Sequence, residues 1–339
     1  MWYNWEYSGE VIFMHMADAL VSPAVAGTMA TLSTVTTIYS INKVREQDDL
    51  KKVPLMGVMG AFVFAAQMIN FTIPGTGSSG HLCGGMLVSA LLGPEAGFLT
   101  MVSVLAVQAL LFADGGLLAL GCNIWNMAFY GCFLGSLIWK FVMRKGMDTK
   151  KIVLASVLGC VLTLQLGSFS VCLETLASGI TELPFTTFVA LMQPIHLLIG
   201  TVEGCITAAV LCFIYNARGE LLVGYDGKDI GISMKKLILI MSVITLFIGG
   251  GLSLAASSNP DGLEWAMEKV AGTSELEHHG GVHETSSHVQ EITSVLPDYG
   301  FKDEESTGGT MISGVLGSVI VAVVCLGISY LVRRKRETA

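Results

Sequence analysis

The feature that most limits this chain is a series of long apolar runs. About 20 residues at 1.5 Å rise cross the hydrocarbon core of a bilayer. Runs of that size are read at about 17–41, 54–73, 95–113, 117–142, 152–177, 185–215, 236–256 and 311–332. A shorter apolar piece, 80–93, follows the turn Gly75-Thr76-Gly77-Ser78-Ser79-Gly80. These runs predict an all-α fold, a polytopic membrane helical bundle. Composition agrees: 14% of the residues are charged, against about a quarter in soluble domains. So few charges cannot cover a soluble surface, which excludes soluble enzymes and nucleic-acid binders.

Charge sets the expected topology. The net charge of −8 is concentrated between residues 257 and 310, which carry −9, while the remainder carries +1. Basic clusters fall at Lys43, Arg45, Lys51 and Lys52, at Arg144, Lys145, Lys150 and Lys151, at Arg218, Lys228, Lys235 and Lys236, and at Arg333, Arg334, Lys335 and Arg336. The positive-inside rule puts all four in the cytoplasm. Parity between the first two then requires 80–93 to count as a short span. The expectation is nine spans in a cell membrane, with the N-terminus outside and the C-terminus cytoplasmic. Residues 14–216 form a seven-span core and 217–235 a cytoplasmic linker. Residues 236–339 form an accessory two-helix hairpin with an external acidic loop, 257–310. The eight cysteines include no CxxC pair and read as buried, inert thiols.

An ionisable group at membrane depth is costly and is a site candidate by default. The candidates are Asp18, His81, Glu95, Asp114, Glu174, His196 and Glu203, with His15 at the external mouth. His81 follows the Gly-rich turn, where irregular backbone needs protein or a water-filled cavity around it. It reads either as a metal ligand reached from outside or as a histidine bonded to a neighbouring helix. His196 and Glu203, seven residues apart, share a helix face and read as a packed polar pair before a metal relay. Asn123 and Asn126 read as partners for backbone or neighbouring helices. Ser79 and His81, two positions apart, are a poor match to a nucleophile–base pair, which is defined by spatial geometry. No GxxxxGK[ST] phosphate-binding loop occurs, so hydrolysis of ATP by that route is not expected of this chain.

The segment Met14-His15-Met16-Ala17-Asp18-Ala19-Leu20 resembles the opening of the CbiM/NikM family, the substrate-binding membrane components of energy-coupling-factor transporters for cobalt and nickel. Further matching blocks follow in order: Gly80-His81-Leu82-Cys83-Gly84-Gly85, Leu92-Gly93-Pro94-Glu95-Ala96-Gly97-Phe98, Asp114-Gly115-Gly116-Leu117, Ala119-Leu120-Gly121-Cys122-Asn123-Ile124-Trp125-Asn126-Met127, His196-Leu197-Leu198-Ile199-Gly200 and Glu203-Gly204. The resemblance covers 14–216. In the hairpin, Pro260-Asp261-Gly262-Leu263-Glu264 and Pro297-Asp298-Tyr299-Gly300 resemble the small CbiN/NikN-like accessory component, fused to the core.

The resemblance implies a metal site near the external face. Its ligands would be the terminal amine of Met14, the amide nitrogen and imidazole of His15, and the imidazole of His81. Amine, amide and imidazole in sequence close two small chelate rings in one plane. A fourth nitrogen completes a square suited to Ni(II), with Co(II) also open. Asp18 is implied either as an acceptor orienting an imidazole or as a helix cap. His196 and Glu203 are further outer candidates. The free amine requires Met14 to be the first residue, so residues 1–13 are expected to be a leader or a mis-assigned start.

The implied function is uptake of Ni2+ or Co2+, captured outside and released inside. The chain would have no cofactor of its own and would not be an enzyme. Its partners would be a transmembrane coupling protein and cytoplasmic ATPase subunits, in a lipid bilayer and without nucleic acid. Two alternatives stand beside this reading. One is an intramembrane metal-dependent enzyme in which His81, His196 and Glu203 converge. The other is a metal channel or exporter without ATPase partners. The external loop, with His278, His279, His283 and His288, is expected to be a solvated, disordered tract. At most it would collect metal weakly, and Glu275–Glu291 would be dispensable for the primary site.

Overall fold

The computed structural model describes residues 15–47, 52–227, 231–273, 276, 280–301 and 307–337. Met14, His278 and His279 lie outside the described residues. The predicted runs emerge as helices: α1 (Pro23–Gln47), α2 (Lys52–Gln67), α3 (Gly85–Leu92) and α4 (Pro94–Leu111). A continuous rod follows, made of α5 (Leu120–Asn123), a π-helical stretch at Ile124–Leu134 and α6 (Gly135–Met143). Then come α7 (Thr149–Ser178), α8 (Phe185–Arg218) and α9 (Met234–Gly250). In the hairpin loop lie α10 (Gly262–Ala271) and α11 (Gly281–Thr293), and α12 (Thr307–Glu337) closes the chain. Two short strands, β1 (Phe71–Ile73) and β2 (Ser78–Gly80), pair antiparallel with Phe71 opposite Gly80.

Among the described residues, six helices are long and apolar enough to cross a membrane. The chain is a multi-pass membrane protein. Large apolar side chains on the outer faces, among them Val35, Phe141, Leu154, Phe247 and Val323, are exposed, as lipid contact requires. The piece expected to be a short span is different in kind. Its helix, α3, has 8 residues, and rises only about 12 Å, so it does not cross alone. Every residue of α3 is buried inside the protein, and the rest of 80–93 is irregular backbone that the surrounding helices shelter.

Small residues set the tightest contacts. Gly85 of α3 lies against Gly131 of the π-helical stretch so closely that a Cβ on Gly85 would sit 2.7 Å from the Gly131 Cα. Both helices of the hairpin, α9 and α12, pack on α2, and α12 also reaches α4. A Cβ on Gly60 of α2 would come 2.8 Å from Cys325 Sγ of α12. The accessory hairpin is therefore seated in the bundle.

The hairpin loop, 257–310, is a correction to the sequence reading. Its described part is largely folded. Asp261 caps α10, its Oδ1 accepting the amides of Leu263 and Glu264 at 2.8 Å each, and Glu264 returns a carboxylate oxygen to the Asp261 amide at 3.1 Å. This Asp-x-x-Glu capping box overrides the disorder that acidic composition suggested. On α11, His283 is 4% exposed and its Nε2 lies 3.0 Å from the Val21 carbonyl, whereas His288 is exposed.

One expected outcome tests the close approach of α3. Backbone stands on both sides of it, so Gly131→Val should destabilise the fold by about 1–3 kcal/mol, the usual cost of overpacking. A lowered thermal unfolding midpoint in detergent would report it. An unchanged midpoint would contradict the contact.

Candidate metal-binding site

The site begins with the segment before α1. The Met16 amide donates to Asn123 Oδ1 at 3.0 Å, and Asn123 Nδ2 donates back to the Met16 carbonyl at 3.1 Å. The Gly116 amide donates to the same carbonyl at 3.0 Å. One asparagine on the rod thus fixes the backbone beside His15. The loop after α4 completes the seat. Ala113 has φ +55° and Gly115 φ +80°, so the chain turns through the left-handed region on both sides of Asp114. A Cβ on Gly115 would sit 2.6 Å from the His15 Cβ, and one on Gly116 would overlap Asp18 Oδ1. These two glycines let the loop pass under the histidine.

His15 and Asp114 are buried, at 4% and 3% exposure. His15 Nδ1 stands 2.6 Å from Asp114 Oδ1. Burial alone would push the Asp114 carboxyl up. The attraction and hydrogen bond of His15, with a hydrogen bond from Tyr299 and the charge of His81, hold it below the usual carboxylate range. In the neutral ring, with Nδ1–H turned to this carboxyl group, the lone pair is on Nε2. That atom is buried and has no hydrogen-bond partner. This is the orientation that carboxylate–histidine pairs give to metal-binding imidazoles.

His81 leaves β2 and stands with its ring centroid 5.5 Å from that of His15. Its loop is tied from several sides. Gln67 Nε2 donates to the Cys83 carbonyl at 2.8 Å, and the Gly84 amide donates to Glu203 Oε1 at 2.9 Å. The Ser79 amide donates to the Pro260 carbonyl of the hairpin at 2.8 Å. The two imidazoles face a cavity of about 80 Å³ that is also lined by Cys83, His196, Asp261 and Met192. A cavity of that size with imidazole nitrogens suits a partly or fully dehydrated transition-metal ion.

The other expected residues fall elsewhere. Among the described residues Asp18 bonds no imidazole, and it does not cap α1. Its Oδ1 accepts the Ala119 amide at 2.9 Å and its Oδ2 the Ser286 hydroxyl of α11 at 2.7 Å. Asp114 does the orienting. His196 lines the cavity, but its Nδ1 bonds the Met192 carbonyl of its own helix at 2.7 Å. Glu203 lies outside the cavity lining and secures the His81 loop through Gly84. The convergence of His81, His196 and Glu203 that an intramembrane enzyme would need does not occur. Among the described residues no three His, Cys, Asp or Glu side chains are grouped to hold a metal.

The histidine tract is also revised. Besides the His283 contact, Gln290 Nε2 donates to the Ala109 and Gly115 carbonyls at 2.9 and 2.8 Å. The segment expected to be dispensable is bonded to the loop beneath His15.

Residues 15–221 match the family described as CbiM, cobalt uptake substrate-specific transmembrane region. The chain belongs to the CbiM family. Residues 235–334 match the PDGLE domain, which contains both hairpin motifs. Along 96% of its length the chain is 33% identical to a protein of Archaeoglobus fulgidus named as a fused nickel transport protein, NikMN, covering 100% of that relative. It is 27% identical to a Lactiplantibacillus plantarum protein named as a fused nickel transport protein, LarMN, over 94% of this chain and 98% of that one. A crystal structure described as a truncated transition metal transporter is 28% identical with a TM-score of 0.53, covering 59% of this chain and 98% of that chain. These CbiM-type relatives are transport proteins and not enzymes.

If Asn123 holds the segment as described, Asn123→Ala leaves the buried Met16 amide unpaired, at about 1–3 kcal/mol, while the Met16 carbonyl keeps the Gly116 amide. Hydrogen exchange at the Met16 amide should quicken by one to two orders of magnitude while α7 amides stay protected. Equal protection in both proteins would remove the clamp from the account.

Proposed function

We propose that this chain is the substrate-specificity component of an ATP-driven, energy-coupling-factor importer for Ni(II) or Co(II). It captures the ion at the external face with His15 and His81 and delivers it inward. The observation that carries the reading is the pair of buried imidazoles at one cavity, with the His15 Nε2 lone pair uncommitted and Asp114 behind the ring. The nickel and cobalt transport names of the relatives support the choice of cargo. Hydrolysis of ATP falls to partner subunits on the cytoplasmic side, with a transmembrane coupling protein between them and this chain. The basic clusters support a cytoplasmic C-terminus in a cell membrane.

The remaining ligands in this reading are the amine of Met14 and the amide nitrogen of His15. Closing the small ring from that amide requires His15 Nδ1 on the metal. A half-turn of the imidazole about Cβ–Cγ carries Nδ1 to the former Cδ2 position and Nε2 to the former Cε1 position, beside the place Nδ1 held against Asp114, so that Nε2–H can turn to Asp114 while Nδ1 meets the ion. Asp114 orients the ring in either arrangement. The nitrogen set favours nickel, because a planar four-nitrogen field suits Ni(II) better than Zn(II).

Titration of the purified full chain with Ni(II) and Co(II) tests this reading. His15→Ala and His81→Ala should each weaken binding by more than about a hundredfold, the upper end for residues that only support a ligand. His196→Ala should cost less than either. Wild-type affinity in the His15 or His81 variant would overturn the assignment.

A further inference from the structure

A chain of hydrogen bonds runs from the accessory hairpin to the first histidine of the site. It starts at Tyr299, in the turn between α11 and α12. The turn is sewn to the end of α4: the amides of Val295 and Leu296 donate to the Leu111 carbonyl at 3.0 and 3.2 Å, and that of Asp298 to the Phe112 carbonyl at 2.8 Å. Asp298 and Tyr299 have φ of +50° and +59°, a left-handed pair that costs energy at residues other than glycine. Docking holds the backbone there, and the result is to aim one side chain inward. The Tyr299 ring stacks on Phe112 at 5.0 Å and meets Phe64 edge-on at 6.1 Å. Its hydroxyl reaches Asp114 Oδ2 at 2.5 Å.

Asp114 therefore uses one oxygen for the core and one for the hairpin. Oδ1 takes His15 Nδ1–H and Oδ2 takes the Tyr299 hydroxyl. Gln108 Nε2, itself bonded to Gln67 at 2.9 Å, backs the phenol oxygen at 3.3 Å. Gln67 in turn holds the Cys83 carbonyl of the His81 loop. Packing alone would be served by phenylalanine, since the ring contacts are apolar. The hydroxyl is buried against a carboxylate that it helps to orient.

We propose that Tyr299 is a positioning residue for metal capture: its hydroxyl fixes the Asp114 carboxylate in the orientation that grips His15, so that the site reaches full affinity only with the hairpin docked. The inference rests on the function proposed above. It makes the fused hairpin part of the binding site, although Tyr299 itself touches no metal.

The experiment uses the full chain with Ni(II) alone as probe, titrated in competition with a chelator. The variants are Tyr299→Phe, Asp114→Asn and the double variant. Tyr299→Phe keeps the ring stack and should weaken Ni(II) binding by about tenfold, the lower end for a residue behind a metal ligand. The double variant should bind like Asp114→Asn, because the hydroxyl acts only through that carboxylate. In metal-free protein with 15N-labelled histidine, the His15 ring resonances should shift in Tyr299→Phe while those of the exposed His288 stay in place. Wild-type affinity in Tyr299→Phe, or a loss that adds fully to that of Asp114→Asn, would overturn the proposal. A wild-type chain that binds neither Ni(II) nor Co(II) would contradict the proposed function instead. The metal-free His15 resonances would then still decide whether the relay exists.

Discussion

Burial of the Asp114 carboxylate is the constraint on which the rest depends. A charge taken out of water must be met by donors, or it is strongly destabilising. Here the donors come from opposite ends of the chain, His15 before α1 and Tyr299 before α12. The segment before α1 must lie against the loop after α4, which needs Gly115, Gly116 and the Asn123 clamp. The hairpin must close over the same loop, which needs the Val295–Asp298 backbone bonds to Leu111 and Phe112. Asp298 registers the crowding. Burial first, and then the neighbouring Asp114 charge, push its carboxyl up to about 7. One buried charge thus joins three stretches of sequence at the point where the two imidazoles meet.

The accessory hairpin follows from the same arrangement. Its helices find their place through close packing on α2, where lipid offers no hydrophobic drive and small residues allow approach. Its loop cannot hang free once α10 is capped and both α10 and α11 are bonded to the core. Ser79, two residues before His81, bonds the Pro260 carbonyl, and Asp18, three residues after His15, bonds Ser286. Both histidine-bearing segments are therefore held from the core side and from the hairpin side.

Much of this was legible in the sequence. The run at 152–177 became α7 and that at 185–215 became α8, because apolar length is nearly sufficient to specify a membrane helix. His15 and His81 could be named from motif blocks, and the structure brings their rings together. The sequence offers Asp18 as the carboxylate behind His15, and the structure puts Asp114 there instead. Both are acidic residues beside the same loop, and the decisive contact spans 99 positions. Tyr299 was harder still, since its partner is 185 positions away and a tyrosine carries no charge to draw notice. The folded external loop was missed for a different reason. Its acidic composition outweighed the local Asp261-x-x-Glu264 capping signal, which was present in the sequence.

The account's central claim is that nitrogen donors from His15 and His81 form the cargo site. X-ray absorption at the nickel edge of the Ni(II)-loaded full chain tests it most directly. The account predicts a nitrogen shell with the outer scattering of two imidazoles and no sulfur. A six-coordinate oxygen shell, or a thiolate sulfur from Cys83, would contradict it.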